Sequence, residues 1–130
     1  MISLQVAQNL KKIVRNNVNN LVKPEHIYLY RVPEKLNVQD SLPIIKITHA
    51  TTTTRGHFSD TLHTTKERLQ IQFYFDDEDE ADYEGMIANL EQVLEEEGFY
   101  FSTGYDSFDP DYEGLLTITR QYNYRNQLKL

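Results

Sequence analysis

A strict alternation of apolar and polar side chains near the middle of the chain is the feature that most constrains its fold. The apolar positions of this run are Leu69, Ile71, Phe73 and Phe75. The positions that alternate with them carry Arg68, Gln70, Gln72 and Tyr74. Successive side chains of a β-strand point to opposite faces, so this period of two predicts a strand from Thr64 to Phe75 with one buried face. A half-buried strand needs neighbouring strands and a second layer over its apolar side.

Two other segments have the three- and four-residue apolar spacing of amphipathic helices. The stripe of the first helix comprises Ile2, Val6, Leu10, Ile13, Val14 and Leu21. An asparagine cluster at positions 16, 17, 19 and 20, followed by Pro24, is predicted to end it. The stripe of the second helix comprises Tyr83, Met86, Ile87, Leu90 and Leu94. We predict this helix from Asp79 to Glu97, with Asp79 as its N-terminal cap and Gly98 as its end.

The remaining strands are predicted from shorter patterns. One is expected from His26 to Val32, and another from Ile44 to Thr51, where Ile45 and Ile47 form the buried pair. Two more follow the second helix, beginning at Phe99 and after Gly114, with a turn-rich connection that starts at Asp106. The expected fold is α+β: an antiparallel or mixed sheet of about five strands with two amphipathic helices on one face and a long β-hairpin loop, in one domain over residues 1–130.

The composition excludes several kinds of site. Because the chain has no cysteine, it has no disulfides, no thiolate metal site and no cysteine nucleophile. The histidines at 26, 49, 57 and 63 match no metal-ligand spacing, and the five glycines are too dispersed for a phosphate-binding loop. We therefore expect no catalytic residues, metal or cofactor. Neither a long apolar run nor a signal-peptide pattern is present, so no membrane partner is expected.

The net charge of −7 conceals a strong segregation of charge along the chain. Residues 1–75 carry 10 basic and 5 acidic side chains, residues 76–114 carry 15 acidic and no basic ones, and residues 115–130 carry 3 basic and no acidic ones. This separation predicts that one face of the molecule attracts a different face of another copy, a contact that forms a ring when the rotation between copies closes. The alternative is that the acidic residues only keep a small protein soluble. The overall negative charge disfavours sequence-specific binding of nucleic acid.

Two features of the second helix break local rules. Glu95, Glu96 and Glu97 crowd its C-terminal turn, where the helix dipole disfavours anions, and Gly85 lies in its interior. A basic partner surface would offset the glutamates and a close backbone approach would explain the glycine, whereas a frayed helix end would explain the glutamates without a partner. The candidate subunit-interface residues are Lys11, Lys12, Arg15, Asp76, Asp77, Glu78, Gly85, Glu95, Glu96, Glu97, Arg120 and Arg125.

Four segments, taken with the order of elements, resemble the small tail terminator (tail completion, tail-to-head joining) proteins of siphophages. They are Leu69 to Phe75 with the acidic-started helix after it, Glu97 to Ser102, Phe108 to Asp111, and Leu116 to Tyr122. The likeness covers residues 2–125. The four-threonine run from Thr51 to Thr54 departs from the pattern of the family.

The resemblance implies a virion protein made in the cytoplasm of a host bacterium. It implies a hexameric ring that seats on the last layer of the tail tube, stops the addition of tube subunits and presents a surface to the head completion or connector protein. Genome DNA would pass through the lumen of that ring. It also implies no catalytic residues, and it places the long hairpin loop near the lumen or the tube. The residues of that loop to test are Thr51, Thr54, Arg55, Gly56, His57, Phe58 and His63.

Two readings from other classes stay open at this point. In the first, the carboxylates of residues 76–114 imitate nucleic-acid phosphates, and the protein is a decoy that occupies a basic host protein. This reading predicts a stable monomer or dimer. In the second, the protein is a small hydrolase or isomerase, which would require a pocket with converging acids and bases.

Overall fold

The structure, a computed structural model, describes residues 2–18, 21–33, 41–53, 64–79, 81–108 and 114–127. The elements are α1 (Ile2–Asn16), a 3-10 turn (Pro24–His26), β1 (Ile27–Leu29), β2 (Ile44–Thr53), β3 (Thr64–Asp76), α2 (Tyr83–Glu96), β4 (Phe99–Phe108) and β5 (Leu115–Gln127). No helix within the described ranges is long and apolar enough to cross a membrane.

The five strands form one mixed sheet in the order β1-β2-β3-β5-β4. The first pair, β1 and β2, is parallel, and every other neighbouring pair is antiparallel. The long strands β3 and β5 occupy the middle of the sheet, and β1 and β4 are its two edges. The predicted α+β fold with a mixed sheet is confirmed, and the sheet is open.

Both helices pack on the same face of this sheet. Ile45, Phe73 and Ile118 are cross-strand neighbours on β2, β3 and β5, and all three belong to a single buried core. Helix α1 contributes Val6, Ala7, Leu10 and Val14 to that core, and α2 contributes Tyr83, Met86, Ile87, Leu90 and Leu94. The alternation in β3 and the stripe of α2 are therefore confirmed as buried surfaces, and so are Val6, Leu10 and Val14 of the first stripe. Ile13 and Leu21 are only partly buried, and Leu21 lies beyond the end of α1. The opposite face of the sheet, which we call the uncovered face, is the one on which neither α1 nor α2 packs.

Local hydrogen bonds fix the ends of the helices. Helix α1 ends where the Asn17 side-chain amide donates to the carbonyl of Ile13 at 2.8 Å, which satisfies a carbonyl of the last turn. Helix α2 begins after Asp82, whose carboxylate accepts from the backbone N–H of Gly85. It ends before Gly98, which adopts φ of +94°, the left-handed conformation that glycine adopts without a steric penalty. The predicted role of Gly98 is confirmed.

The prediction that Asp79 caps the second helix is wrong, because the helix begins at Tyr83 and Asp82 is its cap. Asp79 lies one turn earlier, where it accepts hydrogen bonds from the Tyr83 hydroxyl and from the backbone N–H of Ala81. Because these donors favour its charged form, the Tyr83 hydroxyl foremost, the pKa of Asp79 is lowered. Burial is the main cause that raises the pKa of Tyr83, and its bond to Asp79 adds to the shift.

The first strand is shorter than predicted. It covers only Ile27–Leu29, because Tyr30 has φ of +68° and turns the backbone away from the extended conformation. The Tyr30 N–H donates to the Ile47 carbonyl at 2.7 Å, and its ring stacks on His49 with 5.7 Å between the ring centroids. These contacts hold a conformation that an aromatic residue rarely adopts.

Two strands extend into segments predicted as loop. Thr51, Thr52 and Thr53 continue β2 and pair with β3 beyond a bulge at His49/Thr51, so the assignment of Thr51 to the hairpin loop is wrong. Threonine suits a strand because its branched side chain packs well on a pleated surface. Residues 106–108 continue β4 rather than starting the turn. The other loop candidates (Thr54, Arg55, Gly56, His57, Phe58, His63) lie outside the described residues.

Candidate protein interface

The helical layer of the molecule has opposite charge at its two ends. Helix α1 carries Lys11, Lys12 and Arg15 and no acidic residue. Helix α2 carries Glu84, Glu91, Glu95 and Glu96 and no basic residue. Since α1 packs over β1 and β2 while α2 packs beside β4, these charges lie over opposite edges of the sheet. A surface of this kind complements a translated or rotated copy of itself.

Most of the predicted interface residues lie on the helical layer or in the segment just before α2. Lys12 and Arg15 are exposed on α1, and Lys11 is half-buried beside them. On the acidic side, the exposed residues are Asp76, Asp77, Glu78, Gly85, Glu95, Glu96 and Glu97. Arg120 is the exception, because it lies on the helix-facing side of β5 close to α2 and is committed to an internal ion pair. Arg125 is placed by its backbone in β5, opposite Lys66 of β3.

Arg120 lines an open cleft between α2 and β4. The cleft has a volume of about 390 Å³, and its lining residues are Glu91, Phe101, Gly104, Tyr105, Asp106 and Arg120. The Arg120 guanidinium Nη1 donates to Asp106 Oδ1 at 3.2 Å and to the Thr119 carbonyl at 3.0 Å. The carboxylates of Glu91 and Asp106 line the cleft together with this single guanidinium, so the cleft is an acidic extension of the α2 surface onto β4.

The floor of this cleft requires a glycine. Gly104 pairs with Arg120, and a Cβ at Gly104 would lie 2.6 Å from the Thr119 carbonyl oxygen and 2.8 Å from Arg120 Cδ. The missing side chain therefore lets the arginine cross the strand and reach Asp106. Tyr122 lies two residues further along β5 and is fully buried, with a hydroxyl that has no hydrogen-bond partner among the described residues. Burial, and then the charge of Glu91, raise the pKa of this hydroxyl.

Sequence reasoning placed Arg120 among the interface candidates but missed the other residues of the cleft. One feature of the sequence, a cation in an apolar alternation, could have located the cleft. Leu116, Ile118, Tyr122 and Tyr124 occupy alternate positions of β5, and Arg120 stands in the same alternation. A cation at an apolar position predicts a nearby carboxylate. The partner, Asp106, is identifiable only from the register of β4 against β5.

Strand β4 is an edge with an unusual exposure of aromatic side chains. The exposed fractions are 45% for Tyr100, 49% for Phe101, 58% for Tyr105 and 64% for Phe108. One side of the strand pairs with β5, and the other pairs with no strand among the described residues. Long edges with apolar side chains are sites where another chain can add a strand.

The uncovered face of the sheet is polar and neutral over most of its area. Its side chains form cross-strand hydrogen bonds between β3 and β5, the closest being Gln121 to Gln70 at 2.9 Å and Arg68 to Asn123 at 3.2 Å. Such pairs stabilise the sheet by linking neighbouring strands directly. The uncovered face therefore differs in charge from both ends of the helical layer, because its side chains are mostly amides and hydroxyls and few are charged.

Among the described residues, no group of three or more histidine, aspartate or glutamate side chains is arranged to hold a metal ion. Comparison with known proteins finds no protein-family model that matches the chain and no similar curated protein.

Proposed function

We propose that this chain is a non-enzymatic assembly protein that joins copies of itself into a ring, and that the ring is the terminator of a siphophage tail. The observation that carries the proposal is the polarity of the helical layer, with the basic α1 and the acidic α2 over opposite edges of the sheet. A surface that complements itself head to tail makes heterologous contacts, which form closed rings when the rotation between copies closes.

The identity of the ring rests on the resemblance of four sequence segments to tail terminator proteins. In that role the ring caps the tube formed by the major tail tube protein, stops its polymerisation and offers its other surface to the head completion or connector protein. The α+β fold with two helices on one sheet face agrees with the order of elements on which the resemblance partly rests. The protein acts through its outer surface in the virion and uses no cofactor in this proposal.

Light scattering with negative-stain imaging tests the assembly step directly. We expect closed six-fold rings at low ionic strength that dissociate as salt screens the contacts between exposed charges. Added to polymerising tube subunits of the phage that encodes it, the purified protein is expected to stop elongation. A monomer at every concentration that also leaves tube growth unchanged would contradict the proposal.

A second candidate function is the acidic decoy, which draws on the exposed carboxylates of α2 and of the segment before it. The decoy reading requires a stable monomer or dimer that binds a basic host protein tightly. The same light-scattering measurement separates the two functions, because the ring has six subunits and the decoy is a monomer or dimer. Only the ring requires the basic face of α1 as well as the acidic face of α2.

A further inference from the structure

We propose that β4 of one copy pairs antiparallel with β1 of the next copy, so that the sheets of neighbouring subunits become continuous. This inference rests on the proposed ring and names the contact that builds it. Strand β4 offers ten residues, Phe99–Phe108, and its outer backbone groups are unpaired within the described part of the chain. A partner strand would satisfy those groups and cover the exposed aromatic rings.

Charge decides which strand is the partner. If β4 paired with β4 of a second copy, the two α2 helices, each with four glutamates and no basic residue, would lie close together. If β4 paired with β1 of a second copy, α2 would lie beside the neighbour's α1, which has three basic residues and no acidic one. The first arrangement brings like charges together and the second brings opposite charges together, so the second is favoured.

The direction of the strands is also compatible with β1 of the next copy as the partner of β4. Strand β1 is parallel to β2, and the three following neighbours in the sheet are antiparallel in turn, so β4 runs opposite to β1. A neighbour in the same orientation therefore presents its β1 antiparallel to β4. The helices of both copies then remain on one side of the extended sheet, as a head-to-tail ring requires. Because β1 has only three residues, the helices must supply much of the contact.

The register across the sheet shows where crosslinks should be placed. One row of cross-strand neighbours crosses the uncovered face from β1 to β4. Its residues, in order across the sheet, are Tyr28, Lys46, Gln72, Thr119 and Tyr105. Thr103 and Ser107 flank Tyr105 on the same side of β4, and both are exposed. A cysteine at Tyr28 and one at Thr103 or Ser107 would thus share a face across the proposed junction.

Disulfide crosslinking between single-cysteine variants tests the junction, and the chain has no native cysteine to interfere. Tyr28→Cys is mixed with Thr103→Cys or with Ser107→Cys under mild oxidation, and the linked peptides are identified by mass spectrometry. Paired residues in adjacent strands come close enough for a disulfide. We expect a bond between the mixed variants and none between copies of the Thr103 or Ser107 variant. Thr48→Cys, on the interior strand β2, is the matched control and is expected to form no bond with either β4 cysteine.

Each result has a definite meaning. Disulfides between two β4 cysteines would overturn the inference in favour of a two-fold contact. Rings that form by light scattering but give no bond between positions 28 and 103 or 107 would overturn the inference and leave the proposed function standing. A protein that stays monomeric, with no crosslink, would overturn both.

A second measurement does not depend on cysteines. Phe108→Lys adds a charge at the most exposed ring of the β4 edge, close to the basic end of the incoming subunit, and is expected to abolish the ring. Thr48→Lys adds the same charge to β2 and should leave the ring intact. Retention of the ring by the Phe108 variant would count against the junction.

Discussion

The carboxylate of Asp82 accepts a hydrogen bond from the backbone N–H of Gly85 at 2.9 Å, and this contact gives the glycine inside α2 a local role. A Cβ at Gly85 would overlap the Asp82 carboxylate, lying 2.8 Å from its Cγ atom. The sequence alone suggested a partner surface as the reason for this glycine. The cap explains the small residue without a second molecule.

We therefore predict strong coupling between these two positions. Asp82→Ala should lower the free energy of unfolding by about 1 kcal/mol because the cap is lost. Gly85→Ala should stabilise the Asp82→Ala variant by about 1 kcal/mol through better helix propensity, but it should bring no gain to the native chain, where it displaces the cap. Urea denaturation of the four proteins gives the coupling energy. Glu78→Ala, a nearby exposed acid, is the control, and additive effects would contradict the prediction.

The crossing of Arg120 over Gly104 leads to a second prediction. Gly104→Ala should lower the free energy of unfolding by about 1–3 kcal/mol, because the new methyl group meets a backbone carbonyl that cannot move freely. Without this close contact, Gly104→Ala would be expected to raise the free energy of unfolding, since alanine restricts the unfolded chain more than glycine does. Thermal or urea unfolding measures the change, with Thr103→Ala as the control on the same strand. A Gly104→Ala protein as stable as the native chain would show that the strand adjusts at no cost.

The hydroxyl groups of Tyr122 and Tyr83 should respond oppositely to removal. The Tyr122 hydroxyl is buried and finds no partner in the described residues, so Tyr122→Phe should raise the free energy of unfolding by about 1 kcal/mol. The Tyr83 hydroxyl donates to Asp79, so Tyr83→Phe should lower it by a similar amount while the ring keeps its stacking on Phe75. Urea denaturation of both variants measures the two changes. Loss of stability in Tyr122→Phe would mean that this hydroxyl is bonded in solution.

The effect of Tyr83→Phe should also depend on pH. The hydroxyl lowers the pKa of Asp79 from its ordinary value of 3.8 in the folded protein, so this bond stabilises the fold above that value. The contribution of this bond to stability is lost as the pH falls through the lowered pKa of Asp79, because the carboxylate is then protonated in both the folded and the unfolded protein. The difference in unfolding free energy between the native chain and Tyr83→Phe should therefore shrink in acid. A difference that is constant down to the acid limit would contradict the assignment of Asp79 as the acceptor.

Periodicity predicted the buried surfaces of this protein because it reports burial directly. Leu69 to Phe75 alternate in the strand and the stripe from Tyr83 to Leu94 repeats in the helix, and both sets lie in the core. The ends of elements were predicted less well, because several residues could serve. Asp79 and Asp82 are both suitable caps by type, and only the backbone geometry selects the second. The left-handed turn at Tyr30, which ends β1, has no signal in residue type.

The cleft beside α2 depends on information that the sequence does not contain. Arg120 and Asp106 meet because β4 and β5 pair in one particular register, with a bulge after Phe101 that shifts the partner of each later residue. A different register would pair the arginine with another strand position. The exposed edge of β4 was also unforeseen, because Phe99 and Phe101 were expected only to start a strand. Its position at the end of the sheet follows from the strand order.

Charge reversal tests the polarised helical layer most sharply. Lys12→Glu with Arg15→Glu makes the basic end of the layer acidic, and Glu95, Glu96 and Glu97→Lys makes the C-terminal turn of α2 basic. Each protein alone should fail to form rings, because every head-to-tail contact then joins like charges. Mixed in equal amounts, the two should assemble again, since alternating copies restore an opposite pair at each junction. Alternation closes only in a ring with an even number of subunits, which a hexamer satisfies.

The outcome is read by light scattering at low and high salt, because a contact between exposed charges weakens as the screening length falls. The Glu95, Glu96 and Glu97→Lys protein should fold at least as well as the native chain, since cations at a helix C-terminus interact favourably with its dipole. This expectation separates failed assembly from failed folding, and circular dichroism checks it. Lys46→Glu lies on the uncovered face, so it leaves the charges of the helical layer unchanged and should leave the ring mass unchanged. Recovery of rings in the mixture, and in neither component, is a result that general solubility effects of the acidic residues do not produce.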